Sequence, residues 1–520
     1  MASESKGLWK IIGASSLGTL IEWYDFYIFG SLATVISTKF FPSDNPTAAF
    51  LATLATFAAG FVVRPFGALF FGRLGDLIGR KYTFMVTLLL MGGATFLIGC
   101  VPSYESIGFM APVLVLLLRL LQGLALGGEY GGAATYVAEH APANKRGYWT
   151  SWIQTTATVG LFVSLLVIML TRMALSKEDF NEWGWRVPFW VSIIMVAVSY
   201  FIRKKMGESP LFAKVKAEGH LSKNPLKESF GNKANFKYVL LALFGATMGQ
   251  GVVWYTGQFY AMSFIEKICM VDKMQSDVLI AIALLMGTPF FLVFGALSDK
   301  IGRKKIMLAG MLLAVFCYRP IYEKMYQTVS IKNKVEIVSK QNTKLSFVIN
   351  PKTNLRDSVY TTNYYYQDGA EKTDVKTIFL MYKGKGIVTS KEEIKASIIV
   401  NNSDKWMLIW MVFIQVLFVT MVYGPIAAFL VELFPTNIRY TSMSLPYHIG
   451  NGVFGGLLPA VAVYLATKAN DANSLAESAG QQLPYDKPYL EGLWYPIIVS
   501  GVCFIIGMVY INSKHKHIDD

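Results

Sequence analysis

The chain has 520 residues, of which 53% are hydrophobic and only 16% are charged, and its formal net charge is +14. Soluble domains carry roughly 25% charged residues, so this composition excludes an ordinary soluble protein and indicates an integral membrane protein. The positive charge leaves two interpretations, nucleic-acid binding or membrane topology, and the positions of the basic residues distinguish them.

Apolar stretches of about 20 residues, the length that a helix needs to cross a bilayer, occur twelve times in the sequence. In chain order they span about 10–36, 48–71, 82–101, 112–138, 148–172, 186–202, 238–264, 277–296, 306–322, 406–431, 442–467 and 491–511. The sequence therefore predicts an all-α membrane protein with twelve transmembrane helices.

Basic residues concentrate in every second loop between these predicted helices. By the positive-inside rule those loops face the cytoplasm, and an even number of helices then places both chain ends there as well. This topology accounts for the net charge, so we expect a plasma (inner) membrane protein that contacts lipid and no nucleic acid. The basic loop residues are Arg73, Arg80, Lys81, Lys145, Arg146, Lys300 to Lys305, Arg439, Lys514 and Lys516, together with the linker at 203–237.

Two short motifs each occur twice. "GRLGDLIGRK" at 72–81 and "GALSDKIGRK" at 295–304 share their Gly, Asp, Arg and Lys positions at an offset of 223 residues. "AEHAPANKRG" at 138–147 and "VELFPTNIRY" at 431–440 are offset by 293 residues. The repeats predict two related halves of six helices each, and the difference between the offsets predicts about 70 additional residues in the second half.

The additional residues lie at about 322–405, between the ninth and tenth predicted helices and therefore outside the cytoplasm. Short apolar runs, "KVEIVSK", "KLSFVIN", "DVKTIFLMY" and "IKASIIV", are separated by turn formers and predict strands. We expect a small, mainly β insertion, with a tethered irregular loop as the alternative. The other predicted regions are a first bundle at 1–202, the linker at 203–237, helices seven to nine at 238–321, helices ten to twelve at 406–512 and a cytoplasmic tail at 513–520.

Two parallel six-helix halves are an architecture of transporters that work by alternating access. The loop motif at 72–81 also resembles that of the major facilitator superfamily, and "RLLQGLALGGEYGG" at 119–132 resembles the helix-four motif of its metabolite:proton symporter family. "GTLIEWYDFYIFG", "RPFGA", "GESPLF" and "ELFPTNIRYTSMS" extend the resemblance over the whole chain except the insertion.

This resemblance implies the major facilitator fold and the import of a small organic acid or zwitterion together with protons. The family includes carriers of shikimate, 2-oxoglutarate, citrate, and proline or betaine. No cofactor besides the coupling proton is implied, and the expected partners are a small metabolite and the lipid bilayer. The sequence predicts no particular oligomeric state.

Two carboxylates, Glu22 and Asp25, lie three residues apart in the first predicted helix and project from one face of it. Ionised side chains inside a membrane are costly and are candidates for function. Two carboxylates in one poorly solvated site repel, which favours proton uptake by one of them. The two interpretations are a proton-coupling site and a structural pair that a neighbouring arginine neutralises.

In the fourth predicted helix, the spacing of Arg119, Gln122, Leu126 and Glu129 forms one stripe along one face. Arg119 is a planar, permanently charged donor that suits either a carboxylate substrate or the two carboxylates of the first helix. We predict roles in coupling or substrate binding for Arg119, Gln122 and Glu129.

Further polar residues are candidates for lining a central cavity, although each is more often a packed helix residue. Arg64 is expected toward the cytoplasmic end of the second helix, where it can snorkel and serve a gate or packing rather than substrate binding. The candidate lining residues are Arg64, Gln250, Tyr255, Gln258, Tyr423, His448 and Asn451.

The repeated motifs predict a charged cytoplasmic gate. Asp76 can cap the start of either the next helix or a helix in the opposite half. Arg80 can bridge Asp76 to Glu139, with Arg146 close by. The alternative, that these charges only fix topology, explains the lysines but not the matched acidic and arginine positions. The second half would repeat the network with Asp299, Arg303, Glu432 and Arg439.

Enzyme motifs do not occur in the sequence: there is no Walker loop and no histidine pair at metal-ligand spacing within a helix. We therefore expect neither an enzyme nor a metal site. Two alternatives to a symporter stay open. One is an uncoupled facilitator, for example of a sugar, and the other is a carrier-like nutrient sensor that does not transport.

Overall fold

The structure is a computed structural model and describes residues 2–41, 46–349, 355–383 and 387–511. Within these ranges it contains twelve long helical segments, of which α3 to α12 are each long and apolar enough to cross a membrane. The predicted all-α membrane fold is confirmed. The segments are α1 (Ala2–Ser31, continued by Ala33–Phe40), α2 (Pro46–Val62 and Arg64–Ile78), α3 (Arg80–Ile98), α4 (Met110–His140), α5 (Ala143–Ala174), α6 (Gly184–Lys204), α7 (Lys233–Ile268), α8 (Lys273–Ile301), α9 (Arg303–Val329), α10 (Asn402–Leu433), α11 (Arg439–Ser478) and α12 (Pro488–Tyr510).

The helices form two halves, α1–α6 and α7–α12. In the first half α4 packs against α1, α2 and α3, and in the second half α10 packs against α8 and α9. Large apolar side chains fill the interior of each half, and the core of the second half extends to Tyr130, Ala134 and Ala138 of α4. The connecting segment carries a short helix, Pro210–Ala217, whose Phe212 is buried. The predicted tail at 513–520, with Lys514 and Lys516, lies outside the described residues.

The main contacts between the halves lie toward one end of the helices, which we call the basic side because the loops with Arg73, Lys145 and Lys300 are there. On this side α2 packs against α11 and α5 packs against α8. The tip of Tyr440 in α11 donates a hydrogen bond to the backbone carbonyl of Gly128 in α4. The two halves are therefore held together at the basic side.

Each loop motif turns the chain through a glycine with positive φ. Gly79, between α2 and α3, has φ 126°, and Gly302, between α8 and α9, has φ 101°. Residues with a Cβ rarely adopt this conformation. The last glycine of each motif is therefore required by the backbone conformation of the turn, and each turn positions the aspartate that precedes this glycine by three residues.

The insertion is a four-stranded antiparallel sheet in the order β1-β2-β3-β4, with β1 Asn342–Ile349, β2 Arg356–Tyr365, β3 Glu371–Lys383 and β4 Ile387–Ile399. It begins later than predicted, because α9 continues to Val329 with Tyr322 and Met325 on its buried face. It ends where α10 begins, at Asn402. The prediction of a small, mainly β insertion is confirmed.

Three of the predicted strand runs coincide with β1, β3 and β4. The fourth, "KVEIVSK", is not a strand; it ends in a short 3-10 turn, Val338–Lys340. The Tyr- and Thr-rich strand β2 was not predicted, since its apolar residues do not alternate clearly. Parts of the predicted turns, at 350–354 and 384–386, lie outside the described residues.

The sheet is attached to the loop between α7 and α8. The backbone N–H of Ile398 donates to the carbonyl of Met270 at 2.7 Å, and the N–H of Asp272 donates to the carbonyl of Ile398 at 2.8 Å. The side-chain amide of Gln275 exchanges two hydrogen bonds of 2.9 Å with the backbone of Val400. These bonds fix the end of β4 beside the helices.

Candidate functional site

Asp25 lies in α1 and is 2% exposed. Its Oδ2 accepts hydrogen bonds from Thr95 of α3 at 2.5 Å and from Gln122 of α4 at 3.5 Å. Its Oδ1 is buried and has no hydrogen-bond partner among the described residues. Arg119 donates to Gln122, so the carboxylate and the guanidinium are connected through one amide. Thr95 was not predicted, because a threonine in an apolar helix carries no distinctive signal.

Glu22 has a different partner from Asp25. Its carboxylate lies 3.9 Å from the guanidinium of Arg64, which also lies over the ring of Phe61 at 4.2 Å. The expectation that Arg64 snorkels to the basic side is wrong. Arg64 begins the 15-residue segment Arg64–Ile78, so about 20 Å of helix separates it from that side.

A small cavity between the two halves adjoins Glu22. Tyr130 of α4 stacks on Tyr447 of α11 with ring centroids 3.7 Å apart, and the hydroxyls of Tyr447 and Tyr423 lie 2.8 Å apart. Tyr423 was a predicted lining residue, whereas Tyr130 and Tyr447 were not identified. The cavity is lined by Thr19, Glu22, Trp23, Tyr130, Ile153, Gln154, Tyr423 and Tyr447.

The other predicted lining residues of the second half do not line this small cavity. Gln250 and Asn451 exchange two amide hydrogen bonds, of 3.1 Å and 3.0 Å, between α7 and α11. Tyr255 packs against other aromatic rings of α7. Gln258 and His448 are buried, and the Nε2 of His448 has no partner among the described residues.

Glu129 belongs to a separate ion pair within the first half. Its carboxylate accepts from Arg203 of α6 at 2.7 Å and from Thr87 of α3 at 2.8 Å. Both charged side chains are almost fully buried. Gly18 of α1 leaves the space that this ion pair occupies, because a Cβ at position 18 would collide with both side chains. Arg203 was assigned to the basic linker, and this is wrong: it is a buried residue of α6.

The first charged network on the basic side contains three predicted gate residues. Arg80 contacts Asp76 at 2.9 Å and Glu139 at 3.5 Å. Asp76 accepts from the backbone N–H groups of Tyr440 and Thr441, at 3.3 Å and 2.8 Å. Of the two capping alternatives, the structure therefore has Asp76 at the start of α11, in the opposite half.

The second network has the same design. Arg303 contacts Asp299 at 3.0 Å and Glu432 at 2.8 Å. Asp299 accepts from the backbone N–H groups of Gly147 and Tyr148, both at 2.8 Å, at the start of α5 in the first half. Each half thus caps a helix of the other.

Two arginines of the predicted gate have other contacts. Arg439 reaches into the first half and contacts Glu139 at 2.9 Å, so it takes part in the first network. Arg146 donates to the backbone carbonyl of Ala138 at 3.1 Å.

Two further residues of the first network were not predicted, although they lie in the motif "GESPLF". Glu208 accepts from the N–H of Arg80, and Ser209 donates to Glu139.

Comparisons with known proteins agree with this architecture. Residues 11–238 match the family model described as sugar (and other) transporter. The chain is 30% identical over 469 residues to the inner membrane metabolite transport protein YhjE of Escherichia coli (strain K12), and this covers 88% of each protein. It is 28% identical over 510 residues to the alpha-ketoglutarate permease of the same organism, covering 98% of this chain and 94% of the permease.

The match to the proline/betaine transporter of Salmonella typhimurium is 36% identical over 313 residues, and it covers 58% of this chain and 61% of that transporter's length. Among solved structures, the proton:xylose symporter XylE bound to 6-bromo-6-deoxy-D-glucose superposes with a TM-score of 0.66 at 15% identity. It covers 98% of this chain and 97% of the other, and this likeness shows the fold. The family and these relatives are membrane transporters, not enzymes. The chain belongs to the major facilitator superfamily, with the metabolite transporters among its relatives.

Proposed function

We propose that this protein is a secondary transporter that imports a small organic acid or zwitterion together with protons, by alternating access across the plasma (inner) membrane. The observation that carries the proposal is the state of Asp25. Its carboxylate is buried, keeps one oxygen without a partner among the described residues, and is linked to Arg119 through Gln122. An intramembrane carboxylate of this kind can hold a proton in one part of a transport cycle and release it in another.

The balance of charges supports a substrate with one carboxylate. Glu22 and Asp25 supply two negative charges in the interior of the first half, and Arg64 and Arg119 supply two positive charges there. The predicted lining residues of the second half are uncharged when histidine is neutral. Protonation of Asp25 leaves one positive charge in excess, which a substrate carboxylate can neutralise. A monoanion fits this arithmetic with one proton, whereas a dianion requires a second. A zwitterion adds no net charge, so its carboxylate would face an arginine while its cationic group faces a carboxylate that stays ionised.

The relatives point to the same classes of substrate. They include a proline/betaine transporter and an alpha-ketoglutarate permease, whose names correspond to a zwitterion and to an organic acid. A proton:xylose symporter shares the fold. We propose an organic acid or zwitterion because the central arginines suit a carboxylate, and a sugar has none.

Alternating access requires a gate that forms and breaks, and we propose the basic-side networks for that role. The basic loops would face the cytoplasm, with both chain ends on the same side. The capping bonds of Asp76 and Asp299 cross between the halves, so a cavity open to the cytoplasm requires that they separate. The present arrangement would be the state closed on the cytoplasmic side.

Uptake by purified protein in vesicles tests the proposal. Labelled proline, glycine betaine, 2-oxoglutarate, shikimate, citrate and xylose are offered with and without an inward proton gradient. We expect accumulation of an acid or zwitterion above its external concentration, and its loss when a protonophore is added. Equilibration of a substrate across the membrane at a rate that does not depend on the proton gradient would instead indicate an uncoupled facilitator. Binding of one of these compounds without any uptake would indicate a sensor.

A further inference from the structure

A groove of about 480 Å³ runs along the outer surface of the second half, on the basic side. It lies between the first turns of α7 and the last turns of α12, so it faces the lipid rather than the interface between the halves. Its lining residues are Lys233, Phe236, Lys237, Leu240, Leu241, Phe244, Ile506 and Tyr510.

The groove results from how α7 and α12 meet. At Gly245 and Gly507 the two backbones are in close contact, since a Cβ on Gly507 would lie 2.6 Å from the carbonyl oxygen of Gly245. The α7 segment Leu243–Thr247 is a π-helical turn at this contact, and such turns change the path of a helix. On the basic side of the contact, no side chain of the described residues fills the space between the two helices.

The chemistry of the groove changes along its length. The lysines, Lys233 and Lys237, stand four residues apart at the beginning of α7 and are exposed. Beyond the lysines the lining is apolar, and Leu240 and Phe244 lie on the same face of α7 as the two lysines. From Lys237 to Phe244 the helix rises about 10 Å. No carboxylate is among the lining residues.

We propose that this groove binds one anionic phospholipid, with its phosphate between Lys233 and Lys237 and one acyl chain along Leu240 and Phe244. Lysine stems lie on apolar surface while their ammonium groups stay at the polar boundary, which is the depth of a headgroup. Basic pockets between membrane helices are suited to anionic headgroups. A zwitterionic lipid would fill the apolar part equally well but would lack the net charge that the two lysines attract.

Native mass spectrometry of the full chain released from vesicles of equal phosphatidylcholine and phosphatidylglycerol tests the proposal. We expect one phosphatidylglycerol to be retained in preference to phosphatidylcholine. The variant Lys233→Gln/Lys237→Gln should bind it on the order of 5-fold more weakly for each lysine removed. The matched control, Lys223→Gln/Lys227→Gln, removes two exposed lysines of the nearby linker and should retain the lipid.

A second variant tests the apolar part without changing charge. Leu240→Trp fills the groove and should also release the lipid, with unchanged thermal unfolding in lipid-free detergent. If Lys233→Gln/Lys237→Gln and the control variant lose phosphatidylglycerol equally, the proposal is overturned, because the net charge of the protein alone would then attract the lipid. Undiminished retention in Leu240→Trp would overturn it as well. If the unaltered protein is a dimer and Leu240→Trp dissociates it, the groove binds a second copy of the chain instead of a lipid.

Discussion

Arg439, at the start of α11 in the second half, contacts Glu139, at the end of α4 in the first half, with 2.9 Å between a guanidinium nitrogen and a carboxylate oxygen. Glu139 also contacts Arg80 and accepts a hydrogen bond from Ser209. One buried carboxylate therefore joins both halves and the connecting segment. Removing one partner of a buried ion pair leaves an uncompensated charge, which costs about 3–5 kcal/mol.

The first prediction concerns this gate. Arg439→Gln, Asp76→Asn and Arg80→Ala each remove or weaken a contact between the halves, with Glu139, with the N–H of Thr441 and with the carbonyl of Thr436, respectively. They should therefore shift the protein toward the state open on the basic side. Thiol labelling from the basic side should increase at single cysteines placed along α4 and α10, in a background without the four native cysteines. Arg73→Ala, which removes an exposed charge of α2 one turn before Asp76, is the matched control. Unchanged labelling in all three variants would leave these residues only a topological role.

The second prediction concerns proton coupling. Asp25→Asn keeps the shape of the side chain and an acceptor for Thr95, but it removes the titrating group. Binding and exchange of substrate should persist, while accumulation driven by a proton gradient should be lost. The matched control, Asp471→Asn, changes an exposed carboxylate. Accumulation at the normal pH dependence in Asp25→Asn would refute a coupling role for Asp25.

The third prediction separates structure from coupling at Glu129. Glu129→Gln leaves the guanidinium of Arg203 buried without its counter-charge, so the free energy of unfolding should fall by about 3–5 kcal/mol. The double variant Glu129→Gln/Arg203→Gln removes both charges and should recover a large part of that loss. Thermal unfolding in detergent measures both. A stable Glu129→Gln protein that binds substrate but fails to accumulate it would support the proton-coupling role that the sequence predicts for Glu129.

The fourth prediction concerns the insertion. Replacing residues 331–400 with a short Gly-Ser linker should leave transport intact. The hydrogen bonds that attach β4 involve the loop at Met270 to Asp272 and Gln275 at the start of α8, all away from Asp25 and Arg119. Uptake by the shortened protein, compared with its amount in the membrane, is the measurement. A variant that inserts normally yet takes up no substrate would make the sheet part of the transport mechanism.

The fifth prediction is a pH dependence in the insertion. Lys334 contacts Asp368 at 2.6 Å and Asp404 at 2.5 Å. Burial alone would raise the pKa of Asp368, but hydrogen bonds from Lys334, the N–H of Ala370 and Asn401 outweigh it and hold the pKa below its ordinary value. A lowered pKa means that this carboxylate stabilises the fold above its unfolded pKa, about 4. That contribution is lost as the pH falls through the lower folded value.

Hydrogen exchange of β2 and β3, normalised to intrinsic rates, should therefore stay constant from about pH 7 to pH 5 and increase below about pH 4. Lys334→Met should increase exchange already at neutral pH, whereas Lys344→Met, at an exposed position of β1, should not. Normalised exchange rates that stay constant down to pH 3 in the unaltered protein would show that the ion pairs of Lys334 do not stabilise the insertion.

The sequence by itself determined the number and order of the long helices, the two-half repeat and the β character of the insertion. These features follow from local patterns: the length of an apolar run sets what can cross a bilayer, and alternation of apolar residues indicates a strand. The repeat also identified the gate aspartates, Asp76 and Asp299, because matched polar positions at a constant offset stand out against an apolar background.

Only the tertiary structure decided which charged residues meet. Helical spacing shows which side chains share a face, but it does not say which helix that face will meet. Glu22 and Asp25 are three residues apart, yet one contacts Arg64 of α2 and the other is bonded to α3 and α4. Arg203 pairs with Glu129 across 74 positions of sequence. Such pairs depend on the packing of distant helices, because a buried charge takes whichever partner the fold brings within reach.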